Sequence, residues 1–161
     1  MIHFQNVNKS FIQGGRTINV LTDVNFDLGE NGLFAVVGKS GSGKSTFLSL
    51  LAGLDGPTSG DIIIAGENIS KMNETQITHF RAKNIGIVFQ SFHLIPNFTA
   101  LENVLLPLEV LKISDSKKKA MDILGRVGLA DRAHHFPVEL SGGECQRVAI
   151  ARASAVNPKI I

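Results

Sequence analysis

One cysteine, Cys145, stands alone in 161 residues, so no internal disulfide can form, as fits a reducing compartment. No apolar run approaches the roughly 18 residues that a membrane-spanning helix needs. The longest, such as Leu33-Phe34-Ala35-Val36-Val37, are of strand length. Met1-Ile2-His3-Phe4-Gln5-Asn6 lacks the basic start and apolar block of a signal peptide. Charge excess is small: 16 Lys and Arg against 14 Asp and Glu leave +2, too little to argue for a nucleic-acid partner. The one basic cluster, Lys117-Lys118-Lys119, reads as a solvated helix face. Internal repeats and low-complexity linkers are missing too. What is there is a globular profile, 43% hydrophobic and 19% charged, in a chain long enough to bury a core and read as cytosolic.

Periodicity divides the chain. Ile2, Phe4 and Val7 predict a first strand over residues 1–11, and residues 19–28 a second, with Gly29-Glu30-Asn31-Gly32 as a turn. Residues 33–37 form a continuous apolar run ending at Gly38, expected of a strand buried on both faces. Beyond Lys44, the residues Phe47, Leu48, Leu50, Leu51 and Leu54 recur at helical spacing, so a helix starts inside a glycine-rich loop. Pro57-Thr58-Ser59-Gly60 breaks it, and Asp61-Ile62-Ile63-Ile64-Ala65 reads as a strand. Residues 74–83 read as a polar helix, and Ile85-Gly86-Ile87-Val88-Phe89 as a further buried strand closing at Gln90. After Gln90 the character changes. Thr99-Ala100-Leu101-Glu102 is a capping box opening an apolar helix, and residues 114–127 read as a second helix. About 50 residues between Gln90 and Ser141 therefore read as an all-helical insert. A last helix covers residues 144–156, Asn157-Pro158 stops it, and Lys159-Ile160-Ile161 begins something strand-like.

Gly38-Lys39-Ser40-Gly41-Ser42-Gly43-Lys44-Ser45 fits the phosphate-loop pattern G-x-x-x-x-G-K-[ST] at every fixed position, with a strand before it and a helix after. Gly41 and Gly43 let the backbone curl so that successive N–H groups point inward. The helix starting near Lys44 adds its positive dipole end. Lys44 offers a mobile point charge to the β- and γ-phosphates of ATP, and the Ser45 hydroxyl suits Mg²⁺, which takes oxygen ligands. The candidate nucleotide contacts are Gly38, Lys39, Ser40, Gly41, Ser42, Gly43, Lys44, Ser45 and Thr46. Kinases, GTPases, motor and transport ATPases all share such a loop, so the rest of the chain has to choose.

Leu140-Ser141-Gly142-Gly143-Glu144, followed by Gln146-Arg147 and Ala151-Arg152-Ala153, resembles the signature of ABC ATPases. Ser141 and Glu144 also make a plain capping box, and both readings can hold together. A phosphate loop about 100 residues upstream, with Gln90 at a strand end between them, strengthens the resemblance. It implies an α/β phosphate-loop core of ABC type with N-terminal antiparallel strands and an all-helical insert, incomplete at the C-terminus. Residues 1–90 would be the nucleotide-binding core, 91–139 the helical subdomain, and 140–161 the signature, its helix and the start of the Walker B strand. The resemblance implies that Leu140, Ser141, Gly142, Gly143 and Glu144 serve ATP held by a second subunit, Ser141 and Gly143 touching its γ-phosphate. A homodimer or a paired ABC domain follows from it. Gln90 would touch Mg²⁺ and the attacking water, acting with Lys44 in catalysis; otherwise it is a polar residue at a strand end. Phe11 sits where the family stacks an aromatic on adenine; the alternative is a core phenylalanine.

The stretches Ala52-Gly53-Leu54-Asp55, Phe89-Gln90-Ser91-Phe92, Leu94-Ile95-Pro96 and Thr99-Ala100-Leu101-Glu102-Asn103-Val104 are most similar to the lipoprotein-release and macrolide-export group. Such proteins dock on an integral membrane permease at the inner face of the cell membrane. By that resemblance the docking surface lies near residues 92–103, from Phe92 onward to Asn103. The family continues past the equivalent of Ile161 into a strand ending in Asp-Glu, then a loop with a histidine. These residues are not in the sequence, and His3, His79, His93, His134 and His135 all precede that place. The expectation is a truncated chain that binds ATP better than it hydrolyses it and is marginally stable, with strand edges unpaired. A non-catalytic ATP-binding module or a non-functional fragment is the alternative. ABC ATPases of chromosome maintenance carry a far longer coiled coil in place of the insert. His134-His135 reads as a solvated loop pair. Cys145 reads as a surface substitution, at a helix N-terminus where a thiol can be reactive.

Overall fold

Two adjacent glycines turn the first strand back on itself. In the computed structural model, which describes residues 1–161, β1 (Ile2–Gln13) and β2 (Arg16–Leu28) pair antiparallel. Gln13 faces Arg16, and Gly14 and Gly15 have φ of 58° and 75°. That is the all-positive geometry whose twist suits a two-residue hairpin. Both strands therefore run further than their alternation alone suggested, and the Gly-Gly pair was the signal for it. The sheet order is β2-β1-β3-β4, with β3 (Ser59–Ile64) and β4 (Glu67–Asn68).

The inward residues of the sheet, Ile2, Phe4 and Val7 of β1 with Ile62 and Ile64 of β3, are buried together with Leu50 of α1 (Lys44–Leu51). Phe4 lies 4.5 Å from the Phe26 ring and 5.2 Å from the Phe47 ring of α1. Full burial of such a side chain contributes about 1.5–3 kcal/mol, so this aromatic trio seats α1 on the sheet. These elements make one compact unit, Met1–Thr78.

A second unit, His79–Ile161, is helical. Its core joins Leu101, Val104 and Leu108 of α3 (Ala100–Val110), Ala120 and Leu124 of α4 (Ser116–Arg126), and Val148 and Ala151 of α5 (Gly142–Ser154). α2 (Glu74–Asn84) precedes them in the chain. The capping box at Thr99 forms as its sequence predicts, with Thr99 N donating to Glu102 at 2.7 Å and Glu102 N to Thr99 Oγ1 at 3.2 Å. Two more N–H groups of that first turn, on Ala100 and Leu101, are satisfied by the carbonyls of His135 and Ala133.

Several expectations need correcting. Residues 33–37 make no strand ladder, and Leu33 and Val37 are 100% and 85% exposed. Residues 85–89 pair only at Ile85, in one parallel bridge to Ile160. An apolar run becomes a strand only when a neighbour supplies ladder hydrogen bonds, and the sheet holds four other strands. α5 begins at Gly142 rather than at residue 144, because Ser141 is its cap. His134 is exposed as expected, whereas His135 is half-buried, its Nε2 3.3 Å from an Arg132 nitrogen.

Candidate functional site

The loop between residues 38 and 43 takes its shape from glycines. Gly41 and Gly43 have φ of 78° and 86°, and Gly38 of 156°. Gly43 is the residue before α1 and offers no side-chain cap, and the first turn carries no acidic residue. The first N–H groups of the helix thus stay open to an anion, with the helix dipole behind them. A Cβ on Gly43 would lie 3.1 Å from both the Val20 carbonyl and Leu21 Cδ2, so β2 closely backs the loop. Lys39, Ser40, Gly41 and Ser42 are exposed, as is Ser45.

Lys44 folds back over this loop. Its ammonium donates to the Gly38 carbonyl at 2.9 Å and the Lys39 carbonyl at 2.6 Å. An ammonium has three N–H donors, so one remains beyond these two. The loop therefore presents a fixed cation, open helix N–H groups and no carboxylate, which suits a phosphate chain. No group of three or more His, Cys, Asp or Glu side chains gathers to hold a metal. The hydroxyl of Ser45 suits a Mg²⁺ that draws most of its oxygens from phosphate and water. Thr46 follows inside α1.

Phe11 is 43% exposed on β1, opposite Ile18, with Lys9 Nζ 4.9 Å from its ring centroid. It is not a core phenylalanine. Gln90 is exposed in the turn that follows residues 85–89. Immediately after it, Phe92 and His93 have φ of 60° and 45°, and a left-handed non-glycine residue costs roughly 1–2 kcal/mol.

Sequence reasoning missed what holds that turn. Arg152 of α5 donates to the Phe92 carbonyl at 3.0 Å and the His93 carbonyl at 2.8 Å. Asn103, fully buried on α3, accepts from Ile95 N at 2.9 Å, and its amide nitrogen lies 3.1–3.2 Å from the carbonyls of Ile95, Phe98 and Thr99. Arg152 was visible in the Ala-Arg-Ala run, but nothing in one sequence tells which carbonyls a guanidinium will reach.

At the other end of α5, Ser141, Gly142 and Gly143 are exposed, while Leu140 and Glu144 are half-buried. Ser141 Oγ donates to Glu144 at 2.7 Å, Ser141 N donates to the same carboxylate at 2.8 Å, and Glu144 N returns to Ser141 Oγ at 3.3 Å. Arg132 Nε adds a bond to Glu144 at 3.2 Å. These donors, the Ser141 N–H first, hold the Glu144 carboxyl below its usual value of 4.5. Because the folded value is depressed, the stabilisation is complete above the unfolded value and is lost as pH falls through the folded one. Glu144→Gln should therefore lower the urea midpoint near neutral pH, and the gap to the unsubstituted protein should close as pH falls through and below the ordinary carboxylate range. A gap independent of pH would show that the ionised cap contributes nothing.

Cys145 corrects another expectation. It is buried, its thiol contacting the carbonyls of Pro137 and Leu140. Burial, with the Glu144 charge beside it, pushes the thiol pKa up. It is neither a surface substitution nor an activated thiol.

A glycine-shaped loop that carries a fixed lysine into a helix N-terminus defines a phosphate-loop nucleotide-binding protein. The family model described as ABC transporter matches residues 21–161. The chain is also similar to the ATP-binding cassette MJ0796 in a dimeric post-hydrolysis state bound to ADP and Pi. There the TM-score is 0.90 at 41% identity, over 98% of this chain and 71% of that one. A second dimeric structure of MJ0796, described as a bacterial ABC transporter cassette, matches with a TM-score of 0.88 at 41% identity and the same coverage. The chain belongs to the ABC transporter family. Its antiparallel N-terminal sheet and helical second half are those of the ABC cassette fold.

Proposed function

We propose that this chain is the ATP-binding subunit of an ABC transporter, coupling ATP binding and hydrolysis to export through a membrane permease. The observation that carries this is the loop at residues 38–45, with Lys44 locked over it and open N–H groups at the start of α1. Bound ATP supplies a phosphoanhydride whose hydrolysis releases the energy for transport. Gly38, Lys39, Ser40, Gly41, Ser42, Gly43 and Thr46 enclose the phosphates, Lys44 neutralises developing charge, and Ser45 and Gln90 contact Mg²⁺. Phe11 stacks on the base with the ring face that Lys9 leaves free.

Two cassettes pair head to tail, and the dimeric states of both similar structures support that reading. The open start of α5, from Leu140 and Ser141 through Gly142 and Gly143 to Glu144, receives the γ-phosphate held by the other copy. Residues 92–103 meet the permease, and the chain sits on the cytoplasmic face of the membrane through it. No helix is long and apolar enough to cross a membrane itself. Local resemblance to the lipoprotein-release and macrolide-export group supports export as the direction.

The test is calorimetric titration with Mg-ATP and with AMP. A site built for phosphates binds ATP at least about 100-fold more tightly, as loss of two or more charge-assisted contacts to the missing phosphates dictates. Equal affinities would overturn the proposal.

A further inference from the structure

The turn after Gln90 is built from two consecutive left-handed residues that are not glycine, Phe92 and His93. Successive residues in one helical hand align their carbonyls, so the Phe92 and His93 oxygens face the same way. Such a pair is satisfied best by a forked, permanently charged donor, and Arg152 supplies one at 3.0 and 2.8 Å. The local bonds use only the N–H groups of the turn, Phe92 N to the Phe89 carbonyl at 3.0 Å and His93 N to the Ser91 carbonyl at 2.6 Å, and the Phe92 and His93 carbonyls are taken by Arg152. The next residues are held by the buried Asn103, whose Oδ1 accepts from Ile95 N and, at 3.5 Å, from Arg152 as well. Arg152 in turn lies on α5, the same 13-residue helix whose cap is Ser141.

We infer that Arg152 is a positioning residue for Gln90: by gripping the Phe92 and His93 carbonyls it sets the turn that aims the Gln90 side chain. The inference rests on the reading of Gln90 as a Mg²⁺ contact. A consequence is mechanical. Any shift of α5 at its Ser141 end is carried along a stiff helix to the residues that follow Gln90.

Arg152→Gln, Arg152→Lys and Gln90→Ala in the full chain test this, with two readouts. In hydrogen exchange, Arg152→Gln speeds the amides of Phe92 and His93 about tenfold or more, as loss of charge-assisted bonds implies, while α3 and α4 amides keep their rates. In Mg²⁺ titrations of ATP binding, it raises the half-saturating Mg²⁺ concentration about threefold or more, in the direction of Gln90→Ala. Affinity for ATP in EDTA stays unchanged. Arg152→Lys, which keeps the charge but loses the fork, falls between, and it serves if the glutamine variant does not fold. Unchanged loop amides, or α3 and α4 amides that speed up equally, would overturn the inference. So would a Mg²⁺ titration that moves for Gln90→Ala but not for Arg152→Gln. If Gln90→Ala itself moves nothing, the reading of Gln90 is what fails, and the inference falls with it.

Discussion

Lys44→Ala should weaken Mg-ATP binding by about 10- to 100-fold, as one lost charge-assisted contact of about 1.5–3 kcal/mol implies. The reason lies in the nucleotide-free geometry. Lys44 is already tied to the carbonyls of Gly38 and Lys39, so its flexible stem loses little further freedom when phosphate arrives. Its side chain bonds only to the loop it serves, and truncation should leave the fold intact. Circular dichroism and the urea midpoint should change little while the calorimetric affinity falls. Lys44→Arg should not restore binding, because a planar guanidinium cannot replace a point charge between two carbonyls and a phosphate. Equal ATP affinity in the native and Lys44→Ala proteins would remove the loop from the site.

Gly86→Ala should cost about 3 kcal/mol of stability, at the upper end of ordinary overpacking. A Cβ at residue 86 would lie 2.3 Å from the Ala153 carbonyl oxygen, 3.0 Å from its carbon and 3.2 Å from the Pro158 ring. Two of those atoms are backbone at the end of α5, which cannot rotate away as a side chain does. Gly86 N also donates to the Ile160 carbonyl at 2.8 Å, and Ile160 N to the Asn84 carbonyl at 3.1 Å. Relief of the clash therefore breaks the one parallel bridge that residues 85–89 possess. Urea unfolding measures the loss, and an unchanged midpoint would show that the close approach does not exist in solution. Gly41→Ala is the contrast. Its Cβ would meet nothing within 4 Å, but φ of 78° strains any side chain there. One glycine is required by its neighbour, the other by its own backbone.

The chemistry-bearing segments were legible because they are local. Gly38-x-x-x-x-Gly43-Lys44-Ser45 fixes a loop and a helix start within eight residues, and Thr99…Glu102 and Ser141…Glu144 fix caps within four. Such bonds need no distant partner. The strand expectations at residues 33–37 and 85–89 failed for the opposite reason, since apolarity supplies burial but a ladder needs a second chain segment. Cys145 was misread likewise, because its place on the buried face of α5 depends on what packs against that face.

By itself, then, the sequence determined the phosphate loop, the two capped helices and the family, since each is written in neighbouring residues whose backbone preferences and hydrogen bonds are short-ranged. Only the tertiary structure decided that Lys44 rests on two carbonyls, that Phe11 faces outward, and that Cys145 is buried. It alone decided that Arg152 reaches back about 60 positions to Phe92 and His93. Those facts depend on which surfaces meet in space, and a contact between residues far apart in the chain leaves no periodic mark on either.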